Sequence, residues 1–542
     1  KDCLDKKQDV IYEYDSNGNR TRMIRDFGGS LQNTTTYTYD AEGNQTSVTD
    51  PLGNTTSYQY DANGNLTRIT DPLGNVTTYT YDSRGNRLTE TDALGHTTTY
   101  SYDLMDRLLS VTDALGNKTT YVYDGNGNRT SETDANGRTT TYAYDAYNRL
   151  IQITDPLGHT TSYTYDSRDN RTRMVDANGR TTIYTYNILD RLIRETNALG
   201  GQTNYTYDAA GNVLTITDAC GNTTTFTYDA MNHKVSQTNA VGETTSFAYD
   251  AAGNLVTTTL PNGNTIARTY DALGRLTALS DSLGAIAGYT YDLADRQLTA
   301  TDALGNTTTY AYDALGRVVQ NTDPTGNSMS YAYDAVSRLT TLTDREGNAT
   351  TFTYDALGRK ASETDALGNT TAYTYDGVGN LMSITDALGH TTSYNYDALN
   401  RLTQETYADA TTRSLTYDAV GNMISRTDQK GQVTAYVYDA LNRRTKADYP
   451  GANDSLYTYD CAGNISTTNN SNATISFAYD NIYRLTQSIQ NGETVAYSHN
   501  TAGGTKTIAY PGGKVVKEIQ DPRGLLTRVE NASAQPIVQY AY

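Results

Sequence analysis

The sequence predicts an all-β chain of tandem 21-residue β-hairpin repeats running on as one long antiparallel meander. Three observations carry this. Tyr-Asp pairs recur at Tyr39, Tyr60, Tyr81, Tyr102, Tyr123, Tyr144 and Tyr165, and the step continues to Tyr459, twenty periods of 21 residues after Tyr39. The residues entering each pair alternate, as in Thr78-Tyr79-Thr80-Tyr81, which is the period of a strand and not of a helix. Two clusters of turn residues punctuate every period, leaving two short strands between them. Such self-similarity marks an array whose units bury their faces on their neighbours. About 24 units of two strands, at ~4.8 Å per strand, would make a flat sheet on the order of 230 Å wide. Open twisted sheets rarely pass about ten strands without curling, so this one must roll or coil.

Taken in order, residues 1–38 form an irregular first repeat, with an insertion near Phe27-Gly28-Gly29-Ser30 that delays the next anchor to Tyr39. Residues 39–478 form the regular array. Residues 479–542 are degenerate repeats, in which His499 and Gln520 stand in the Tyr place, and the last repeat stops part-way at Tyr542. Both ends read as cut from a longer protein.

Within a period the outgoing strand ends on the anchor Tyr and leads into the first turn, as in Asp82-Ser83-Arg84-Gly85-Asn86. Four residues after the anchor stands Gly43, Gly64 or Gly85, but elsewhere Asp106, Asn148 or Asp190. These are the residues that tolerate a left-handed backbone, so positive φ is predicted at all of them, with Ser337 and Tyr483 strained or rearranged. The second turn is stricter. Gly occupies it in every unit from Gly53 through Gly389, which predicts a conformation, or a close backbone approach, that only Gly meets cheaply. Between the turns runs a return strand. Its residues six and nine after the anchor are apolar in Leu66/Ile69 and Leu150/Ile153 but charged in Arg87/Glu90, Arg129/Glu132 and Lys360/Glu363. A spacing of three does not share a face in a plain strand, so a bulge or early turn must bring each pair together.

Bulk properties narrow the function. The 542 residues include 48 Tyr, five Phe and no Trp, and the net charge is −19. Nucleic acid is thereby excluded as a partner, since binding it needs a cationic surface. No stretch approaches the roughly 18 apolar residues of a membrane helix. Cys3, Cys220 and Cys461 lie far apart, and their spacing sets neither a disulfide framework nor a metal site.

The unit resembles that of the RHS/YD-repeat family, in Tyr270-Asp271-Ala272-Leu273-Gly274-Arg275-Leu276-Thr277, Tyr312-Asp313-Ala314-Leu315-Gly316-Arg317 and Asp71-Pro72-Leu73-Gly74. The likeness covers nearly the whole chain. It implies a sheet spiralling into a hollow shell or tube, which encloses a toxic segment in bacterial toxin complexes and polymorphic toxins and forms part of an adhesion receptor in teneurin-like proteins. It also implies a secreted or cell-surface location. The family's self-cleaving C-terminal segment has no counterpart before Tyr542, so no cleavage role is carried over.

The residues that stand out are repeat anchors: Tyr39, Asp40, Tyr60, Asp61, Tyr81, Asp82, Gly85, Gly95, Tyr102 and Asp103. Their Asp rows suggest calcium, but Asp before a turn ordinarily accepts backbone N–H bonds, and no calcium loop motif is present. No cofactor or metal is expected. His96, His159 and His390 replace an Asn after the second-turn Gly, His233 sits in a first turn, and none has a nucleophile beside it, so catalysis is not expected. Asn54, Asn75, Asn117 and Asn306 begin Asn-x-Thr triplets and are possible glycan acceptors. The aromatic face, with Tyr79, Tyr81, Tyr100 and Tyr102 together and Thr80 and Ser101 opposite, is expected toward the inside of the curve or against another layer. Two functions stay open: a non-enzymatic shell enclosing or displaying another polypeptide such as a toxin, or an extracellular fibre or adhesin binding carbohydrate or neighbouring chains.

Overall fold

In the computed structural model, which describes residues 9–26, 33–451 and 454–540, the chain forms a single 51-stranded sheet. Each strand pairs antiparallel with the strand before it and the strand after it, from Asp9–Tyr14 on Arg20–Asp26 to Leu526–Asn531 on Pro536–Gln539. A typical unit is an outgoing strand Val76–Tyr81 and a return strand Arg87–Thr91. The ladder passes without a break from the irregular first repeat into the array and on through the degenerate repeats. One short 3-10 turn, Pro511–Gly513, is its sole helical element among the described residues.

Both turns are built alike. In the first, Gly85 N–H donates to the Asp82 carbonyl at 3.1 Å and Asp82 N–H to the Asn86 carbonyl at 2.9 Å; in the second, Gly95 and Asp92 repeat the pattern with His96. The fourth residue takes positive φ: 88° at Gly85, 62° at Asp106 and Asn148, and 58° at Asp190. Ser337 and Tyr483, at 69° and 68°, keep the same turn and carry the strain instead of rearranging. At Gly95 φ is 85° and a Cβ would meet nothing within 4 Å, so the strict Gly of this second turn reflects backbone conformation and not close approach. Gly95→Ala should therefore destabilise by about 1–2 kcal/mol from backbone strain alone. Asn148→Gly should shift stability by a few tenths of a kcal/mol. Equal melting shifts for the two would contradict this.

After the first turn the register slips by one. Tyr81 pairs with Arg87 and Thr80 with Thr89, leaving Leu88 as a bulge. This puts residues six and nine after the anchor on one face, where Arg87 meets Glu90 at 2.9 Å and Lys360 meets Glu363 at 2.6 Å. The same face holds the aromatic rings: Tyr79, Tyr81, Tyr100 and Tyr102 are half-buried while Thr80 and Ser101 are exposed. Arg87 lies between Tyr79 and Tyr100, 5.7 and 4.7 Å from the ring centres, so a cation or a Leu fills the gap between successive rings.

No second layer covers those rings. Strands contact only their sequence neighbours, and among the described residues only Ile24, Leu273, Ala447 and Ile508 form a buried apolar core. The accessible surface is 29386 Å², about 1.5 times the ~19,000 Å² of a compact protein of this mass. The chain is a wall one sheet thick.

The wall winds upon itself. Asn136 reaches Asp376, 240 residues on, and Arg138 reaches Asn400, 262 residues on. Asn178 and Arg180 repeat the two contacts one pair of units later, on Asp418 and Asn442. Twelve periods fall between those separations, so one revolution takes about twelve repeats or 24 strands, and the chain completes about two. At ~4.8 Å per strand the circumference is about 115 Å and the diameter about 37 Å.

Candidate functional site

The winding makes a seam in which the second turns of the first revolution receive the first turns of the second. Close approach explains the small residues there: a Cβ on Gly377 would stand 2.9 Å from Asn117 Oδ1 and 3.2 Å from Asn136 Oδ1. Polar and apolar groups line the crossings together, as where Asp113, Asn117 and Ala135 face Leu357, Arg359 and Val378. Toward the C-terminal end, Arg484 Nη1 lies 3.1 Å from Glu243, which also accepts from Thr501 Oγ1. Tyr483 donates its phenol to Asp218 and accepts from Asn222 Nδ2 at 3.0 Å. Arg523 grips Asp281 with two bonds of 2.7 Å, holding that carboxyl far below the usual carboxylate range. Asp281 has no exposed side-chain surface.

The seam also carries a correction. Cys220 and Cys461 are joined by a disulfide, with Cα atoms 5.2 Å apart across 241 residues. The expectation of no disulfide failed because sequence distance says nothing about proximity once a ribbon returns after twelve units. Cys3 lies outside the described residues.

The predicted anchors sit in the turns and the strand ends. Asp40, Asp61 and Asp82 each use Oδ2 for the side-chain amide of Asn44, Asn65 or Asn86, and Oδ1 for two backbone N–H groups. The amide bond leads, followed by the backbone bonds, in lowering their pKa values. At Asp103 burial works upward but is outweighed by the backbone amide and guanidinium of Arg107. The Asp oxygens are thus filled by turn donors, and among the described residues no three His, Cys, Asp or Glu side chains converge as metal ligands. Tyr39, Tyr60 and Tyr81 donate their phenols to the carbonyls of Arg20, Gln45 and Leu66 at 2.8–3.0 Å. Leu66 precedes the bulged Thr67 of the preceding unit, so each anchor ties its repeat to the last. Tyr102 pairs with Leu108 in its own hairpin. Where Arg follows the turn the tie is doubled: Arg296 holds Asp292 at 2.6 Å, donates to the Asp313 carbonyl at 2.9 Å and lies 4.9 Å from the Tyr312 ring centre.

Four histidines serve the same turns. His96, His159, His233 and His390 place Nδ1 2.9–3.0 Å from the Asp four residues back. His499 replaces the anchor phenol, with Nε2 2.9 Å from the Leu485 carbonyl. The triplet residues Asn54, Asn75, Asn117 and Asn306 each donate Nδ2 to an Asp at 2.8–2.9 Å, within the second turn.

The seam residues were missed from the sequence, yet a signal for them exists. Three residues after the anchor, the docked turns carry Leu315, Val336, Leu357, Val378, Leu399, Val420 and Leu441, whereas the first four free turns carry Asn17, Glu42, Asn63 and Arg84. The other free turns mix the two, with Asn126 and Arg168 beside Met105, Tyr147 and Leu189, so what sets the docked row from Leu315 to Leu441 apart is that it has no polar member.

Comparison with known proteins gives a consistent picture. The RHS Repeat family matches in twelve segments between residues 29 and 307, and the Teneurin YD-shell family matches residues 297–448. The crystal structure of TcdB2-TccC3-TEV superimposes with a TM-score of 0.61 at 16% identity, over 98% of this chain and 32% of that one. TcdB2-TccC3 gives 0.51 at the same identity and coverage. The chain spans about a third of the length of those solved chains. No curated protein matches.

Proposed function

Because the chain belongs to the RHS-repeat family, we propose that it is a non-enzymatic shell segment of a large secreted or cell-surface bacterial protein, enclosing or displaying another polypeptide such as a toxin. The observation that carries this reading is the seam, which turns a ribbon into a closed wall around a bore. Allowing ~5 Å for side chains on the inner side, half the usual spacing of packed sheets, the bore is about 27 Å across. That is ample for an extended chain or a helix of ~10–12 Å. Side chains of the anchors and turns are spent on holding the wall, which favours a structural over a catalytic role.

The fibre reading draws less support. Head-to-tail stacking needs the free rims to complement each other as the seam does. At the second-turn tips the seam carries no charge, with Leu115, Asn136, Leu157 and Asn178 among them, but the free rim of the second revolution has Glu346, Asp409 and Lys430 among its Leu tips.

A test is to fuse an unstructured reporter peptide after Tyr542 and measure its proteolysis. An enclosed reporter should be cut at least about tenfold more slowly than the same peptide added free, by exclusion of the protease from the open-state population. Equal rates would overturn the enclosure reading.

A further inference from the structure

We propose that the Cys220–Cys461 disulfide is a redox latch: it locks the second revolution onto the first, and its reduction opens the seam over the C-terminal repeats. The bond is placed for that role. Cys220 is the tip of the second turn that starts at Asp218, and Cys461 follows Asp460 in the first turn docked against it. The ring it closes, 241 residues, is close to one full revolution, so the ribbon cannot unwind past this point while the bond is intact. The corresponding crossings elsewhere hold residues such as Leu, Val, Ala, Asn, Gly or Pro at these positions and make no covalent link.

The remaining ties on the C-terminal side are polar. They are Tyr483 on Asp218 and Asn222, Arg484 and Thr501 on Glu243, Asn262 on the Pro522 carbonyl, and Arg523 on Asp281. Apart from Arg523 on Asp281, whose carboxylate is covered, these are partly exposed ion pairs and hydrogen bonds that give little net stability one by one. They hold the seam mainly because the covalent link keeps the partners at high effective concentration. No apolar layer lies behind them, since the wall is a single sheet.

The bond is also reachable. Cys461 is exposed and Cys220 half-buried, so a thiolate has access from the Cys461 side. The reductant is a small dithiol. One of its thiolates attacks a cystine sulfur, forming a mixed disulfide and releasing the other cysteine as a thiolate. Its second thiol then displaces the bound cysteine, and the reductant leaves as a cyclic disulfide. Two electrons pass to the cystine, and two protons finish on Cys220 and Cys461.

The inference does not depend on any enclosed polypeptide, and the isolated chain tests it. In a Cys3→Ser background, which removes the third thiol from exchange, hydrogen exchange is followed with and without the dithiol. Reduction should speed exchange at least about tenfold in residues 455–504 and in their partners 218–243, and leave residues 76–123 unchanged. Cys220→Ser should show the fast rates with or without reductant. Should that variant not fold, reduction and reoxidation of the parent still decides, since reoxidation must restore the slow rates. Full reduction confirmed by mass, with seam exchange unaltered, would overturn the latch and leave the bond a passive crosslink.

Discussion

Deleting one period, residues 313–333, should yield a folded chain in which Cys220 and Cys461 are free thiols. The ribbon itself tolerates the cut, because Tyr312 then leads into Asp334 as it normally leads into Asp313, and the turn chemistry is the same. The seam does not tolerate it. Every later first turn moves back by one repeat, two strand spacings or about 9.6 Å. A disulfide needs Cα atoms within roughly 4.4–6.8 Å, so the cysteines cannot meet. The same slip removes Arg484 from Glu243 and Arg523 from Asp281, which stand 241 and 242 residues apart in the intact chain. Thiol titration should find two more free thiols than in the parent, and the melting temperature should fall. Formation of the disulfide in the shortened chain would mean that eleven repeats can close the ring. Circumference would then be set by the seam and not by the curvature of each repeat.

Acid should dismantle the wall cooperatively. Turn after turn uses an Asp as acceptor, and at Asp82, Asp376, Asp418 and others the carboxyl titrates low. At Asp82 the Asn86 side-chain amide is the main cause; at Asp376 and Asp418 burial opposes the shift but is outweighed by amides of their own turn and of Asn136 or Asn178 across the seam. The folded pKa lies below the unfolded one, so this stabilisation is fully present above the unfolded value of about 4 and is lost as pH falls through the folded values. The phenols behave in the opposite sense. Burial raises Tyr81, Tyr312 and Tyr417, so their contribution is complete below about pH 10 and fades as pH rises through the folded values. Melting temperature against pH should therefore be level from about 5 to 9 and fall on both sides, most steeply below 4, where many carboxyls protonate together. An unchanged melting temperature at pH 2 would show that the Asp turns do not need their charge.

Much of the fold was legible because each repeat states its own local chemistry. Positive φ at Asp106 and Asn148 followed from their exchange with Gly, and the bulge at Leu88 from the pairing of Arg87 with Glu90. The common face of the Tyr rings followed from alternation. The absence of a covering layer did not, since a half-buried ring in a cation–aromatic ladder and a ring in a core have the same sequence pattern. The seam was illegible for a different reason. Curvature is a small rotation per repeat summed over twelve of them, and no residue type encodes it. Cys220 and Cys461 therefore looked unrelated until the ribbon was closed.

The one-sheet wall sets a timetable for synthesis. Since each strand pairs only with its chain neighbours, hairpins can form as soon as they leave the ribosome, in the manner of other low-contact-order chains. Seam contacts join residues 238 to 270 apart, so none can form before about a full revolution has been made. At roughly 5–20 residues per second, translating about 250 more residues takes on the order of 12–50 s. For that time the nascent protein is a gutter with one bare rim, with Leu73, Leu94 and Leu115 awaiting cover. In this interval the inner face is reachable from the side, and the seam closes that route once the second revolution docks.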